Sequence, residues 1–317
     1  MLDEHGKLKS KEVQIETSSK CFANCIMCPR DVYNHVQQSM DTDFFMDIVR
    51  QAVELGAESL DLSGFGDSFV DPEAARKALH VHASYPELKL YTSSTAYAFT
   101  PEVLDWACRF YDTIKISHYG MSDRTFKLIH RLPRGRCLKN IHDLLSRSQR
   151  PYVTLYYLLL PQNQIELQPW VDYWQDLADE IIVWRPHNYG GCKWLTDTFA
   201  YRSEAMVLGK APRSCGRPSA GNPYIHVNGD VSGCCYDFDH RLVIGNLKQD
   251  SLQDILSGPP LARLIDKHAA GDFRGICADC DQTHDRSDAL VYHSNPDRST
   301  NQPTSHPDHI VDLIPDP

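Results

Sequence analysis

The chain has 317 residues, 42 acidic against 32 basic side chains (formal charge −10), and 42% hydrophobic residues. That length allows one large domain or two smaller ones with a real core, and excludes a wholly disordered chain or a disulfide-dense miniprotein. The acidic balance leaves no broad positive field for nucleic acid or an anionic membrane.

The most apolar run, Val153 to Leu160, falls far short of the ~20 apolar residues that a spanning helix needs. Met1 to Lys20 is polar, with no apolar signal core. The expected location is cytoplasmic, where the 11 cysteines stay reduced and clustered ones point to metal or redox chemistry.

In chain order, Val13 to Thr17 reads as a strand. Phe44 to Leu55 reads as a helix with Phe45, Ile48, Val49, Ala52 and Val53 on one face, stopped by Gly56. Strands follow at Ser59–Ser63, Leu88–Thr92, Thr113–Ser117, Tyr152–Leu160 and Ile181–Trp184. Helices alternate with them at Pro72–Ala83, Pro101–Phe110, Leu138–Ser146 and Ile165–Ala178. Strands separated by helices make β/α units and a mostly parallel sheet, whose ligands gather at the carboxyl ends of the strands. Six units within residues 12–190 are too few for a closed eight-stranded barrel of ~250 residues. The expected fold class is α/β, a partial (β/α)6 TIM-like barrel.

The pattern changes after Gly190. Pro223–Val227 and Val231–Cys235 flank Asn228-Gly229 and read as a hairpin, followed by helical runs at Leu252–Leu256 and Pro260–His268. Residues 191–281 read as a small second module. Residues 282–317 read as a polar tail, extended or disordered, whose His284, His293, His306 and His309 are solvated.

Cys21, Cys25 and Cys28 lie in the loop after the first strand as CX3CX2C. Three thiolates so close together can converge on one centre, and soft sulfur ligands select iron–sulfur clusters or zinc. Four more cysteines, Cys215, Cys234, Cys277 and Cys280, can close a second site, and their spacing alone leaves zinc and iron–sulfur open.

CX3CX2C in this loop, followed by β/α units, resembles the radical S-adenosylmethionine (SAM) superfamily over roughly residues 12–190. The resemblance implies a [4Fe-4S] cluster held by Cys21, Cys25 and Cys28, whose open iron binds SAM. It implies that Met27 brings its backbone to the adenine. Gly64-Phe65-Gly66-Asp67 stands where the family meets the SAM amino group, with Asp67 in place of the common Glu. Ser117 stands where a polar residue meets the ribose; Ser93 and Ser94 are weaker candidates, and His118 and Tyr119 either line the substrate space or belong to the core.

Cys215-X13-Gly229-X4-Cys234, closed by Cys277 and Cys280 with no cysteine beyond, resembles the shortened "twitch" form of the SPASM extension. It implies a second, fully ligated auxiliary [4Fe-4S] cluster that carries electrons. Cys235, beside Cys234, reads as a spare residue on the other hairpin face or as a hydrogen-atom donor. Cys108 reads as core; Cys137 and Cys192 have no assigned role.

Arg185, His187 and Asn188 follow the last strand of the sheet. Arg185 offers a planar donor fork, His187 a base near neutral pH, and Asn188 a group to orient a hydroxyl, against a plain connector turning at Gly190-Gly191. Arg131, Arg134 and Arg136 form a basic loop or a docking patch for an acidic flavodoxin- or ferredoxin-type reductant.

The architecture resembles the aminocyclitol dehydrogenase type of the butirosin pathway. The implied function is oxidation of an alcohol in a small polar metabolite, with Arg185 or His187 at the hydroxyl. The alternatives are a peptide-modifying or epimerising enzyme and, from another class, a structural zinc protein. Peptide modifiers of this kind often carry a leader-binding domain, for which the twenty residues before Cys21 are too few.

Overall fold

The structure, a computed structural model, describes residues 1–32, 36–190, 211–284 and 289–295. In chain order its main elements are β1 (Glu12–Ile15), α1 (Thr42–Glu54), β2 (Ser59–Asp61), α2 (Ala74–Ser84), β3 (Lys89–Ser94), α3 (Pro101–Phe110), β4 (Thr113–Ser117) and α4 (Asp123–His130). Then come α5 (Arg134–Leu145), β5 (Tyr152–Leu158), α6 (Leu167–Trp174), β6 (Glu180–Trp184), α7 (Arg217–Ala220), β7 (Tyr224–Ile225), β8 (Asp230–Ser232) and β9 (Val243–Asn246). The described chain ends with α8 (Leu252–Ser257), α9 (Pro259–Ala269) and β10 (Ala289–Ser294).

The chain divides into two compact units. The first comprises Met1–Phe22, Cys28–Thr92 and His187–Arg286. Its strands run in the order β3-β2-β1-β7-β8-β9. The first four are parallel, with Val13 opposite Leu60, Leu60 opposite Leu90 and Ile15 opposite Ile225; β8 and β9 turn back antiparallel. The second unit comprises Ala23–Met27, Ser93–Pro186 and Ser287–Pro317. There β4, β5 and β6 are parallel, and β10 closes the edge antiparallel to β6.

Helix α1 shows why the apolar spacing folds as it does. The Asp41 carboxylate accepts from the Asp43 and Phe44 amides at 3.0 Å each and so starts the helix. Phe45, Ile48, Val49 and Ala52 are fully buried on one face, at about 1.5–3 kcal/mol for each large side chain. Gly56 stops it at φ +85°, a conformation glycine adopts without steric cost. Val53, expected on the buried face, is half-buried.

Several expectations change. Asp123–His130 is a helix that the sequence pattern did not suggest, and α5 starts at Arg134, so Arg134 and Arg136 lie on a helix and not in a loop. Arg134 pairs with Asp123 at 2.9 Å, and Arg136 stacks over Tyr97. Strand β8 ends at Ser232, so Cys234 and Cys235 lie in a turn, and alternation of strand faces does not separate them. The polar tail supplies a strand, β10, in its one β-rich run, Ala-Leu-Val-Tyr-His-Ser. Gly191, Cys192, His306 and His309 lie outside the described residues.

One ion pair in the first unit is sealed from water. Lys77 Nζ meets the Asp71 carboxylate at 2.5 Å, with side chains 1% and 0% exposed, and also donates to the Met40 carbonyl. Lys77→Met strands the Asp71 charge and is expected to cost roughly 3–5 kcal/mol in urea unfolding, and Lys77→Met/Asp71→Leu to recover most of it. A single variant as stable as wild type would contradict this.

Candidate cluster and cofactor site

In the first unit, the loop Gly64–Asp67 packs directly on the chain leading to Cys21. The Asp67 amide donates to the Lys20 carbonyl at 2.8 Å. A Cβ on Gly66 would stand 2.1 Å from the Ser18 carbonyl oxygen, so only glycine fits. A Cβ on Gly64 would meet Glu16 Cγ at 2.6 Å and Tyr224 Oη at 2.8 Å. Asp67 is buried, and its carboxylate accepts from the Phe69 amide at 3.1 Å.

Glu16, just past the end of β1, is a functional candidate that no motif marks. It is 0% exposed and accepts from the Phe65 amide at 2.9 Å and the Val227 amide at 3.1 Å. Burial pushes its carboxyl up to about 7, against those two amides and the charges of His240 and Arg30.

An aromatic group joins the expected site residues of this unit. Phe65 lies 6.1 Å from Tyr189 and edge-on to Tyr224 at 6.0 Å. His187 is 4.1 Å from Tyr189 and stacks on Tyr236 at 3.9 Å. The Tyr236 amide donates to Cys234 Sγ at 3.4 Å. Asn188 is committed elsewhere: its side chain accepts from the Asp281 amide and donates to the Asp279 carbonyl, tying its segment to the Cys277–Cys280 loop.

The auxiliary cysteines share one neighbourhood. Burial pushes the Cys277 thiol up to about 11 and the Cys280 thiol up to about 12, and each faces Cys215. Burial works against the charge of Arg217, but Tyr236, Cys235, Cys234 and Cys215 around it more than offset that and raise its pKa. His268 Nε2 lies 3.6 Å from Cys277 Sγ. Among the described residues, no three Cys, His, Asp or Glu side chains converge as a single-ion site requires. The fit of this set to an iron–sulfur group rests on its four soft donors and their common surroundings.

In the second unit, Cys25 is held by α4. The Asn24 amide donates to the His130 carbonyl at 3.2 Å and the Ile26 amide to the Ile129 carbonyl at 2.9 Å. Two carbonyls at the helix end, without partners inside the helix, thus take the loop as their partner. His130 Nδ1 stands 3.3 Å from Cys25 Sγ, and burial holds the imidazole down at about 3. Met27 is buried. Ser117 Oγ, at the end of β4, accepts from Tyr119 Oη at 2.9 Å. His118 is a core residue, 0% exposed, with Nδ1 accepting from Trp170 Nε1 at 3.3 Å. Arg185 is half-buried, and among the described residues no hydrogen bond or ion pair engages its guanidinium.

The model of an iron–sulfur cluster-binding domain, SPASM, matches residues 215–281. This stretch is similar to a SPASM domain. It spans Cys215, Cys234, Cys277 and Cys280. No curated protein matches the sequence. Among solved structures, BtrN in complex with AdoMet and 2-DOIA matches with TM-score 0.59 and 16% identity, over 85% of this chain and 92% of that one. Streptococcus suis SuiB bound to its precursor peptide SuiA matches with TM-score 0.66 and 14% identity, over 86% of this chain and 70% of that one. AnSMEcpe with bound AdoMet matches with TM-score 0.61 and 10% identity, over 81% and 80%. The fold class is therefore the α/β partial barrel that the sequence pattern predicts. In fold the chain is similar to these three structures, and over residues 215–281 it is similar to an iron–sulfur cluster-binding domain. No helix among the described residues is long and apolar enough to cross a membrane.

Glu16 makes a pH prediction. Its folded pKa lies above the ordinary 4.5, so between pH 4.5 and about 7 the folded state binds more protons than the unfolded one, and stability falls as pH rises. Relative to Glu16→Gln, the wild type is expected to lose roughly 3 kcal/mol in urea unfolding between pH 4.5 and 8. A difference independent of pH would contradict the assignment.

Proposed function

We propose that this protein is a radical SAM oxidoreductase that dehydrogenates an alcohol of a small polar metabolite. The observation that carries the reading is the presence, in one chain, of CX3CX2C just past β1 and, in the stretch that matches the SPASM model, of Cys215, Cys234, Cys277 and Cys280. In this reading Cys21, Cys25 and Cys28 hold the SAM-binding [4Fe-4S] cluster, and Cys215, Cys234, Cys277 and Cys280 hold the auxiliary one. When bound, these groups supply a 5′-deoxyadenosyl radical that takes one hydrogen atom, and an acceptor for the one electron left behind.

The rest falls to side chains of this chain. The backbone at Met27 and the loop Gly64, Phe65, Gly66 and Asp67 bind the adenine and amino ends of SAM, and Ser117 the ribose. His187 takes the hydroxyl proton of the carbinol, and Arg185 orients its oxygen. Loss of a hydrogen atom from carbon, a proton from oxygen and one electron leaves a ketone. A small substrate is supported by the likeness to BtrN, solved with 2-DOIA, which runs over 92% of that chain. Peptide modification is the second reading, supported by the higher TM-score, 0.66, of SuiB bound to SuiA. The electron donor is a flavodoxin- or ferredoxin-type protein.

The test uses reconstituted protein, dithionite, SAM and two substrate sets: aminocyclitols and polyols deuterated at the carbinol carbon, and peptides deuterated at Cα. Deuterium in 5′-deoxyadenosine together with a ketone product is expected from the alcohols. Transfer from peptides alone would replace this reading with the second. In Cys277→Ala/Cys280→Ala, iron is expected to fall from about eight to about four per chain, with 5′-deoxyadenosine still formed and the ketone lost.

A further inference from the structure

The contact between α4 and the CX3CX2C loop joins a charge-neutral histidine to one thiol of the motif. His130 is 0% exposed, and its ring is wedged between Tyr119 at 4.7 Å and Phe126 at 4.5 Å. Its two nitrogens have different partners. The Tyr119 backbone N–H donates to Nε2 at 3.1 Å. A backbone amide can only donate, so Nε2 carries the lone pair and the ring proton sits on Nδ1. Nδ1 is the atom 3.3 Å from Cys25 Sγ.

The approach is fixed twice over. The amides on either side of Cys25, those of Asn24 and Ile26, are bonded to the carbonyls of His130 and Ile129. The residue after His130, Arg131, ends the helix in the left-handed conformation at φ +59°. Backbone and side chain of one helix turn therefore set both the position of Cys25 and the N–H aimed at its sulfur.

We propose that His130 is the positioning residue for Cys25, and that its Nδ1–H donates to the Cys25 sulfur and raises the reduction potential of the cluster bound there. The inference rests on the reading of Cys25 as a cluster ligand. One-electron reduction adds negative charge that is shared by the ligand sulfurs, and an N–H aimed at one of them stabilises the reduced form. No proton needs to move. Hydrogen bonds to sulfur are among the levers by which a protein sets such potentials, because they act on the charge without changing the ligand set.

Two variants in the full chain separate this role from plain packing. His130→Phe keeps a ring among Tyr119 and Phe126 but has no N–H. His130→Asn places a side-chain N–H near the position of Nδ1. At a fixed potential, in reconstituted protein, the ratio of reduced to oxidised cluster is read from the electron paramagnetic resonance signal that changes on adding SAM. It is expected to fall about tenfold in His130→Phe, or 59 mV for a one-electron couple, and to stay within about twofold of wild type in His130→Asn. A second readout needs no cluster. Proton–nitrogen correlation spectra of histidine-labelled, metal-free protein are expected to show the Nδ1–H tautomer for the ring whose signals vanish in His130→Phe.

An unchanged ratio in His130→Phe, with iron content equal to wild type, would overturn the proposal and leave the cluster reading intact. An equal fall in both variants would make His130 a packing residue and overturn it as well. The Nε2–H tautomer would remove the donor on which it depends. Wild-type protein with no Cys25-dependent cluster would overturn the cluster reading and this inference together.

Discussion

The buried carboxylate of Glu16 accepts amide hydrogens from two segments far apart in sequence, at Phe65 and at Val227. Removing a carboxylate from water is costly, and hydrogen bonds to it recover only part of that cost. What the carboxylate secures is order. β1, the Gly64–Asp67 loop and the β7–β8 turn meet around one side chain. Five residues after Glu16 comes Cys21, and the chain between them is pressed against Gly66, where no Cβ fits. The loop expected to meet SAM, the approach to its cysteines and the first hairpin of the auxiliary domain are thus placed by one interaction.

From this anchor the aromatic group extends the order toward the auxiliary cysteines. Phe65, Tyr189, His187 and Tyr236 follow one another at ring separations of 3.9–6.1 Å, ending at the amide bonded to Cys234. Arg217 lies over Tyr236 and among three of the thiols, a half-buried positive charge in the place where a ligated thiolate set would put negative charge. In the second unit the end of α4 does a parallel task for Cys25. The amides flanking Cys25 are bonded to the end of α4, and a buried histidine nitrogen stands close to Cys25 Sγ and another close to Cys277 Sγ.

The motif-bearing parts were legible in the sequence because their chemistry is local. CX3CX2C and the CX2C pair declare themselves by spacing, and β1 to β6 by short β-rich runs between amphipathic helices. Non-local parts were not legible. Helix α4 buries only Thr125, Phe126, Ile129 and His130 in its eight residues, too short a stripe to stand out, and its start depends on the Ser122 side chain capping the Thr125 amide. His130 meets Cys25 from 105 residues away, and no pattern within either segment signals it. Glu16 was not signalled either: alternation from the buried Val13 and Ile15 makes Thr17 the next core position, and the two amides that Glu16 accepts from belong to Phe65 and Val227, far off in sequence. Strand β10 was hidden by the polar composition around it, since its pairing with β6 is made across more than a hundred residues. Cys234 and Cys235 were placed on a strand that Gly233 ends early.

The proposed activity requires that Cys21, Cys25 and Cys28 hold a cluster that cleaves SAM reductively. The most direct measurement is 5′-deoxyadenosine formed from SAM by anaerobically reconstituted, dithionite-reduced protein, comparing wild type with the Cys21/Cys25/Cys28→Ala variant. The wild type is expected to form 5′-deoxyadenosine and the variant none. No 5′-deoxyadenosine from an iron-loaded wild type, or equal amounts from both, would contradict it.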